Sequence, residues 1–213
     1  MSEYLLDSLV EKFSKIWFLA PILLSFSIMV FSLGVLSMFA GVNYVNLQRL
    51  VVFVPVLIST FLQNMWEEIG WRGYALPKLQ EKYNAFYSSI VVSVFWAIWH
   101  WPHFTVKNSI MMTNYHNFLW FFVSTVLVSI EYTWLYNSTK GSLLIVTLYH
   151  SSYNAFGLLL LVEQGISYVV FPFLLLTHFL TVIVIIVVFR PEKLSYIKPV
   201  TFEQLRKTAI KHY

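Results

Sequence analysis

Apolar runs separated by short polar stretches follow one another along most of the chain. A helix needs roughly 20 predominantly apolar residues to cross a bilayer. Six runs come close to or exceed that length: Ile16–Ala40, Leu50–Trp66, Ala85–Trp101, Phe118–Tyr136, Ser142–Leu161 and Ser167–Phe189. The pattern therefore predicts an all-α fold, a polytopic transmembrane helix bundle of about six spans.

Polar positions divide the chain into three regions. Residues 1–15 mix acidic and basic side chains with an amphipathic pattern, which predicts an interfacial N-terminal segment rather than a cleaved signal peptide. Residues 16–190 form the predicted transmembrane domain, and residues 191–213 form a basic cytoplasmic tail. Within the domain, the second run should continue as helix to about Leu76, and Pro102 should end the third.

The positions of lysine and arginine predict the orientation. If both termini are cytoplasmic, 12 of the 14 basic residues lie in inner segments, and only Arg49 and Lys107 lie outside. Cytoplasmic loops carry an excess of Lys and Arg, so we expect a multi-pass protein of the cell (plasma) membrane with both termini cytoplasmic. The net charge of +4 is then an orientation signal, and the expected partner is the lipid bilayer, with no nucleic acid.

Composition excludes several kinds of site. The 213 residues are 58% hydrophobic and 11% charged, which leaves no separate soluble domain. Cysteine is absent, so thiolate metal sites and a cysteine nucleophile are excluded. The single aspartate, Asp7, excludes an intramembrane protease built on paired aspartates.

Two adjacent carboxylates, Glu67 and Glu68, lie at the end of the second apolar run, and Arg72 follows them. Charged groups at membrane depth are costly and mark functional sites. On a helix, Glu68 and Arg72 share a face because they are four residues apart, whereas Glu67 points about 100° away. We therefore expect a structural Glu68–Arg72 ion pair and a Glu67 that faces other groups.

Two further polar clusters lie in later runs. Trp96 and His100 lie near the end of the third run, and His150 and Asn154 share one face of the fifth. Partners for Glu67 should come from these clusters. Straight helices would place Glu67 and His100 at different depths, so we expect an interfacial helix over residues 77–86 and a third span that begins after it.

These residue types suit hydrolysis by activated water. A carboxylate beside a histidine can deprotonate water, and histidine and asparagine on one face can donate to an oxyanion. The catalytic candidates are Glu67, Glu68, His100, His150 and Asn154, with Arg72 and Trp96 in support. A divalent metal such as zinc, held by Glu67, His100 and His150, is the alternative to a site without a cofactor. Of the other ionisable groups in the spans, we expect Glu131 to snorkel to the interface and His178 to pack against a neighbour.

Taken in order, the three motifs resemble those of the CAAX protease and bacteriocin-processing (CPBP, or Abi) family of intramembrane endopeptidases. The family pattern Glu-Glu-x-x-x-Arg corresponds to residues 67–72, and His-x-x-x-Asn corresponds to residues 150–154. The second pattern, Phe-x-x-x-His, corresponds to residues 96–100, with Trp96 in place of phenylalanine.

The resemblance implies a role for each motif. Glu67 would activate water with His100, His150 and Asn154 would stabilise the oxyanion, and Glu68 and Arg72 would support them. It also implies a peptide or membrane-protein substrate, with CAAX-type processing and bacteriocin-related cleavage both open, and it leaves the oligomeric state undetermined. The alternatives are a non-catalytic membrane immunity or interaction protein and a proton-coupled transporter.

Overall fold

Each of the six predicted spans corresponds to a helix in the computed structural model, which describes residues 14–41, 43–44, 47–115, 117–162 and 166–211. The helices are α1 (Ala20–Ala40), α2 (Phe53–Gly70), α3 (Leu76–Leu79), α4 (Ala85–His100), α5 (Ile110–Tyr115), α6 (Phe118–Ser138), α7 (Leu143–Gly157), α8 (Ser167–Phe189) and α9 (Phe202–Lys211). The all-α prediction is confirmed.

Among the described residues, five helical segments are long and apolar enough to cross a membrane: Ala20–Ala40, Gln48–Leu79, Phe118–Ser138, Leu143–Leu161 and Ser167–Phe189. The predicted third span is α4, which has 16 residues and is therefore shorter than a full crossing of roughly 20 residues. A bundle of about six spans agrees with this set. The cytoplasmic placement of the termini stays a prediction, and the interfacial segment proposed for residues 1–15 falls almost wholly outside the described residues.

The second helical segment is longer than predicted, because it runs for 32 residues from Gln48 to Leu79. Pro77 lies in the first turn of α3, where a helix does not need the missing backbone N–H, so the chain stays helical through it. The predicted interfacial helix over residues 77–86 is therefore wrong, and α4 begins at Ala85. The extension also reduces the predicted depth mismatch between Glu67 and His100: Glu67 lies 12 residues before Leu79, and His100 lies 15 residues after Ala85.

Side-chain caps and a glycine set several helix ends. Asn84 accepts a hydrogen bond from the Tyr87 backbone N–H at 2.9 Å and begins α4. Asn117 does the same for Trp120 at the start of α6, at 3.2 Å. Both are the N-cap arrangement that asparagine favours. Gly41 ends α1 with φ of 67°, a left-handed conformation that glycine adopts without strain.

Helix α7 packs against α1, α2 and α6, and α4 packs along α6. The α4–α6 contact uses small residues: Ser129 Oγ donates to the Ser89 carbonyl at 3.1 Å, and the two hydroxyls lie 3.3 Å apart. Small side chains let membrane helices approach closely, and their hydroxyls bond across the interface.

A buried pair of amides closes the end of the bundle at Leu79 and Ser138. Asn137 Nδ2 donates to Gln80 Oε1 at 2.8 Å, and Gln80 Nε2 donates to Asn137 Oδ1 at 3.1 Å. The remaining donors reach the carbonyls of Val200, at 2.7 Å from Gln80, and Lys193, at 2.9 Å from Asn137. Residues 193–200 are thereby packed against the bundle, and the boundary predicted at residue 191 stays a prediction.

Candidate active site

Glu68 and Arg72 form a fully buried ion pair on the second helical segment. Arg72 Nη1 donates to both carboxylate oxygens of Glu68, at 3.1 Å each, and both side chains are 0% exposed. The guanidinium carbon lies 4.6 Å from the ring centroid of Trp96 and 4.0 Å from that of Tyr132, where aromatic faces attract a cation. The predicted pair is confirmed.

His150, on α7, contacts the same carboxylate. Its Nδ1 lies 2.9 Å from Glu68 Oε1, and since a carboxylate only accepts, Nδ1–H donates. The rings of Trp96 and Tyr132 lie edge-on to the imidazole, with centroids 5.6 and 5.7 Å away. Glu68 therefore orients a histidine as well as neutralising Arg72, a contact that helix geometry alone did not predict.

A π-helical turn over Trp71–Ala75 follows α2 and carries Arg72. Such turns occur frequently at functional sites. Gly73 lies within it, and a Cβ on this residue would come 3.3 Å from Leu143 Cδ1, closer than ordinary van der Waals contact. Glycine thus allows the first residue of α7 to pack against the turn, which helps bring His150 to Glu68.

Glu67 lies in a different environment from its neighbour. Its Oε2 accepts a hydrogen bond from the Trp96 indole Nε1 at 3.0 Å, and its side chain is partly exposed rather than buried. Trp96 therefore holds the carboxylate from α4, and its supporting role in catalysis stays a prediction. The two adjacent carboxylates have different partners, as their angular separation on the helix predicts.

His100 ends α4 with one ring nitrogen engaged by the backbone. Nδ1 lies 2.9 Å from the Trp96 carbonyl oxygen, so Nδ1–H donates and Nε2 is the nitrogen left to accept a proton. The imidazole is partly buried beside Phe121, with ring centroids 5.1 Å apart. It is close enough to interact electrostatically with Glu67 and His150.

Asn154 lies one helical turn beyond His150 and is exposed. Its Nδ2 donates to Asn64 Oδ1, on α2, at 3.4 Å. Asn154 also lines a cavity of about 290 Å³ that Thr60, Tyr153 and Leu174 help to enclose. The structure thus brings Glu67, His100, His150 and Asn154 to one region between α2, α4 and α7, with Asn154 at the border of a space that a ligand could enter.

The alternative with a metal requires three ligands directed at one point. Within the described part of the chain, no group of three or more His, Asp or Glu side chains is arranged to hold a metal ion. The hydrogen bonds to Glu68 and Trp96 engage His150 Nδ1 and Glu67 Oε2 and do not themselves block a metal, so only the relative placement of the side chains counts against one. The candidate ligands do not fit a metal site in this arrangement.

A second carboxylate–histidine pair, between α6 and α8, was missed by the sequence reasoning. His178 Nδ1 lies 2.9 and 3.1 Å from the two carboxylate oxygens of Glu131, and Tyr149 donates to Oε2. His178 Nε2 lies 3.0 Å from the hydroxyl of Tyr153. Glu131 and His178 are both 0% exposed, so the expectation that Glu131 snorkels to the interface is wrong. Ionisable residues inside membrane spans pair with one another. The presence of Glu131 and His178 in two such spans was therefore a signal in the sequence that could have predicted this pair.

Two comparisons with known proteins show which proteins this chain is similar to. The chain matches the family described as type II CAAX prenyl endopeptidase Rce1-like over residues 49–156. It is also 35% identical over 116 residues to CAAX prenyl protease 2 of Methanococcus maripaludis, an alignment that covers 53% of this chain and 43% of that protein. The chain thus aligns with less than half the length of this relative.

A helical membrane bundle with these three motifs defines a protein of the CAAX protease class. All three motifs lie inside the matched residues, and the match covers half of the chain. The chain belongs to the Rce1-like CAAX prenyl endopeptidase family. His178 lies outside the matched residues.

Proposed function

We propose that this protein is an intramembrane endopeptidase that hydrolyses a peptide bond with water activated by Glu67. The observation that carries the proposal is the contrast between the two adjacent carboxylates. Glu68 is sequestered by Arg72 and His150, whereas Glu67 is partly exposed, fixed by Trp96 and close to His100. A positioned carboxylate with access to water is what a general base requires.

In the proposed reaction, Glu67 takes a proton from water while the water oxygen attacks the carbonyl carbon of the scissile peptide bond. His100, with Nε2 available, helps to orient the water. The carbon–nitrogen bond then breaks, and the proton held by Glu67 passes to the leaving amine. Water thus supplies the oxygen of the new carboxyl group and the hydrogen of the new amine, and Glu67 returns to its starting state.

His150 and Asn154 are the proposed donors to the oxyanion. Asn154 offers its side-chain N–H groups, and the bond to Asn64 leaves one of them for the substrate. His150 uses Nδ1–H on Glu68, so donation to the oxyanion requires a second proton on Nε2. Since Glu68 is already paired with Arg72, the negative charge that develops on the oxyanion balances this proton. Removing a single oxyanion donor typically slows turnover by about 10²–10³-fold.

The proposed substrate is a peptide or membrane protein that presents its scissile bond at this depth. The M. maripaludis relative carries the name CAAX prenyl protease 2, so a prenylated peptide ending in a CAAX sequence is the first candidate. Unprenylated membrane peptides are the alternative within the same reaction.

The test uses purified protein in phosphatidylcholine vesicles and a fluorophore–quencher peptide ending in CAAX, with and without the prenyl group. We expect Glu67→Gln to reduce cleavage by about 10²–10⁴-fold, since the general base is lost. Glu192→Gln, which removes an exposed carboxylate, is the matched control and should keep full activity.

Full cleavage by Glu67→Gln would overturn the role of Glu67 as the general base, whereas no cleavage of either peptide by the wild-type protein would favour a non-catalytic role. Cleavage of only one of the two peptides would identify the substrate class. A chelator arm addresses the cofactor: because the side chains do not form a metal site, we expect EDTA to leave the rate unchanged, and a loss restored by zinc would contradict the metal-free mechanism.

A further inference from the structure

Two neighbouring stripes of α7 carry the polar residues that point toward α2 and toward α8. His150 and Asn154 form one stripe, and Tyr149 and Tyr153 form the other, about 100° around the helix. The first stripe holds the proposed oxyanion donors. The second is bonded to Glu131 and His178, which have no part in the proposed reaction.

A chain of hydrogen bonds leads from Glu131 to Tyr153. The carboxylate accepts from His178 Nδ1–H, which fixes the tilt and rotation of the imidazole. The opposite nitrogen, Nε2, is then directed at the Tyr153 hydroxyl, 3.0 Å away. A tyrosine hydroxyl has one donor and two acceptor positions, so the single bond to His178 leaves capacity for another partner.

Tyr153 lies on the wall of the cavity of about 290 Å³, next to Asn154. The cavity is near the lower end of the size range of small ligand sites, roughly 300–1,000 Å³. Its wall is mainly apolar, as at Met29 and Leu174, with a few polar groups. A substrate segment that reaches Asn154 from this cavity passes directly beside Tyr153.

We propose that Tyr153 is a substrate-binding residue that hydrogen-bonds a main-chain group of the peptide substrate in this cavity, and that Glu131 and His178 are its positioning residues. The proposal rests on the proposed function, because Asn154 must hold the oxyanion of the same substrate. Adjacent residues on α7 would then bind adjacent groups of the peptide, Asn154 the reacting carbonyl and Tyr153 a flanking peptide group.

The first experiment measures KM and kcat with the CAAX peptide that the wild-type protein cleaves. Tyr153→Phe removes the hydroxyl and keeps the ring, so we expect KM to rise about 3- to 10-fold with kcat within about twofold, as for loss of one neutral hydrogen bond. Glu131→Gln keeps the hydroxyl but loosens its orientation, and KM should rise less, about 2- to 3-fold.

Tyr149→Phe is the matched control. Tyr149 is on the same helix, four residues before Tyr153, and donates to Glu131, the carboxylate that orients His178, but it does not line the cavity. If Glu131 and His178 only hold the bundle together, Tyr149→Phe and Tyr153→Phe will change KM alike, and this outcome would overturn the proposal. An unchanged KM in Tyr153→Phe would overturn it as well.

A binding experiment separates this proposal from the proposed function. The labelled CAAX peptide is titrated into Glu67→Gln protein, where cleavage is blocked, and its affinity is compared with that of Glu67→Gln/Tyr153→Phe. We expect the second protein to bind about 3- to 10-fold more weakly. Equal affinities, or no binding to Glu67→Gln, would overturn the role of Tyr153. If wild-type protein cleaves nothing while the affinities differ, the proposed function fails and the binding role of Tyr153 stands.

Discussion

Two buried carboxylate–histidine pairs lie side by side along α7, and they are balanced differently. In the Glu68–His150 pair, the histidine and Arg72 bond the same carboxylate, and the guanidinium lies against the rings of Trp96 and Tyr132. In the Glu131–His178 pair, no arginine or lysine among the residues that the structure describes pairs with the carboxylate, and the hydroxyls of Tyr149 and Tyr153 complete the hydrogen bonds. One pair includes a permanent cation, and the other is completed by neutral tyrosine hydroxyls.

This difference predicts how much stability the protein loses when one member of each pair is substituted. A buried guanidinium has no neutral form to adopt in proteins, so the Arg72 pair depends on the charge of Glu68. The Glu131–His178 pair can be neutral as a whole, either as carboxylate and imidazolium or as carboxylic acid and imidazole. We therefore expect matched substitutions in the two pairs to have unequal effects.

Glu68→Gln should have the largest effect on stability. It leaves Arg72 fully buried without a counter-charge, and breaking a buried ion pair in this way typically costs about 3–5 kcal/mol. The measurement is the free energy of unfolding in a detergent titration, followed by the fluorescence of the eight tryptophans. A loss below about 1 kcal/mol would contradict this prediction. It would show that cation–π contacts with Trp96 and Tyr132 stabilise the buried guanidinium without the carboxylate.

Glu131→Gln should have an intermediate effect, about 1–3 kcal/mol, because it weakens hydrogen bonds to a charged group and strands no arginine. Glutamine keeps one acceptor for His178 and offers a donor to Tyr149. The same titration applies, and the two glutamine variants should be compared in one detergent and lipid mixture. A loss equal to that of Glu68→Gln would contradict the distinction between the pairs.

Glu203→Gln should have the smallest effect. Glu203 pairs with Lys207 on the exposed side of α9, at 2.6 Å, and the lysine lowers the pKa of the carboxyl. A lowered pKa in the folded protein stabilises it above the unfolded-state pKa, and this contribution is lost as the pH falls through the folded value. Since solvent screens the pair, we expect no measurable change in the unfolding midpoint at neutral pH. A clear drop of the unfolding midpoint at low salt that disappears in 0.5 M salt would show that α9 needs this pair.

The contrast between the pairs also explains which parts of the structure could be predicted. The Glu68–Arg72 contact follows from a spacing of four residues on one helix, so it could be predicted from the sequence. Glu131 and His178 are 47 residues apart on separate helices, and only the packing of α6, α7 and α8 brings them together. The spans could be predicted from hydropathy alone. The length of the second helix could not, because a π-helical turn precedes Pro77 and the helix continues through it.

The amide pair of Gln80 and Asn137 has a consequence for how the chain matures. These side chains are buried between α3 and α6, and carbonyls of residues 193 and 200 complete their hydrogen bonds. Buried polar groups left without partners are costly, so this end of the bundle is incomplete until the residues after α8 have been synthesised and have docked. The hydrogen bonds that complete this end of the bundle therefore form only after α8 and the residues that follow it have been added to the chain.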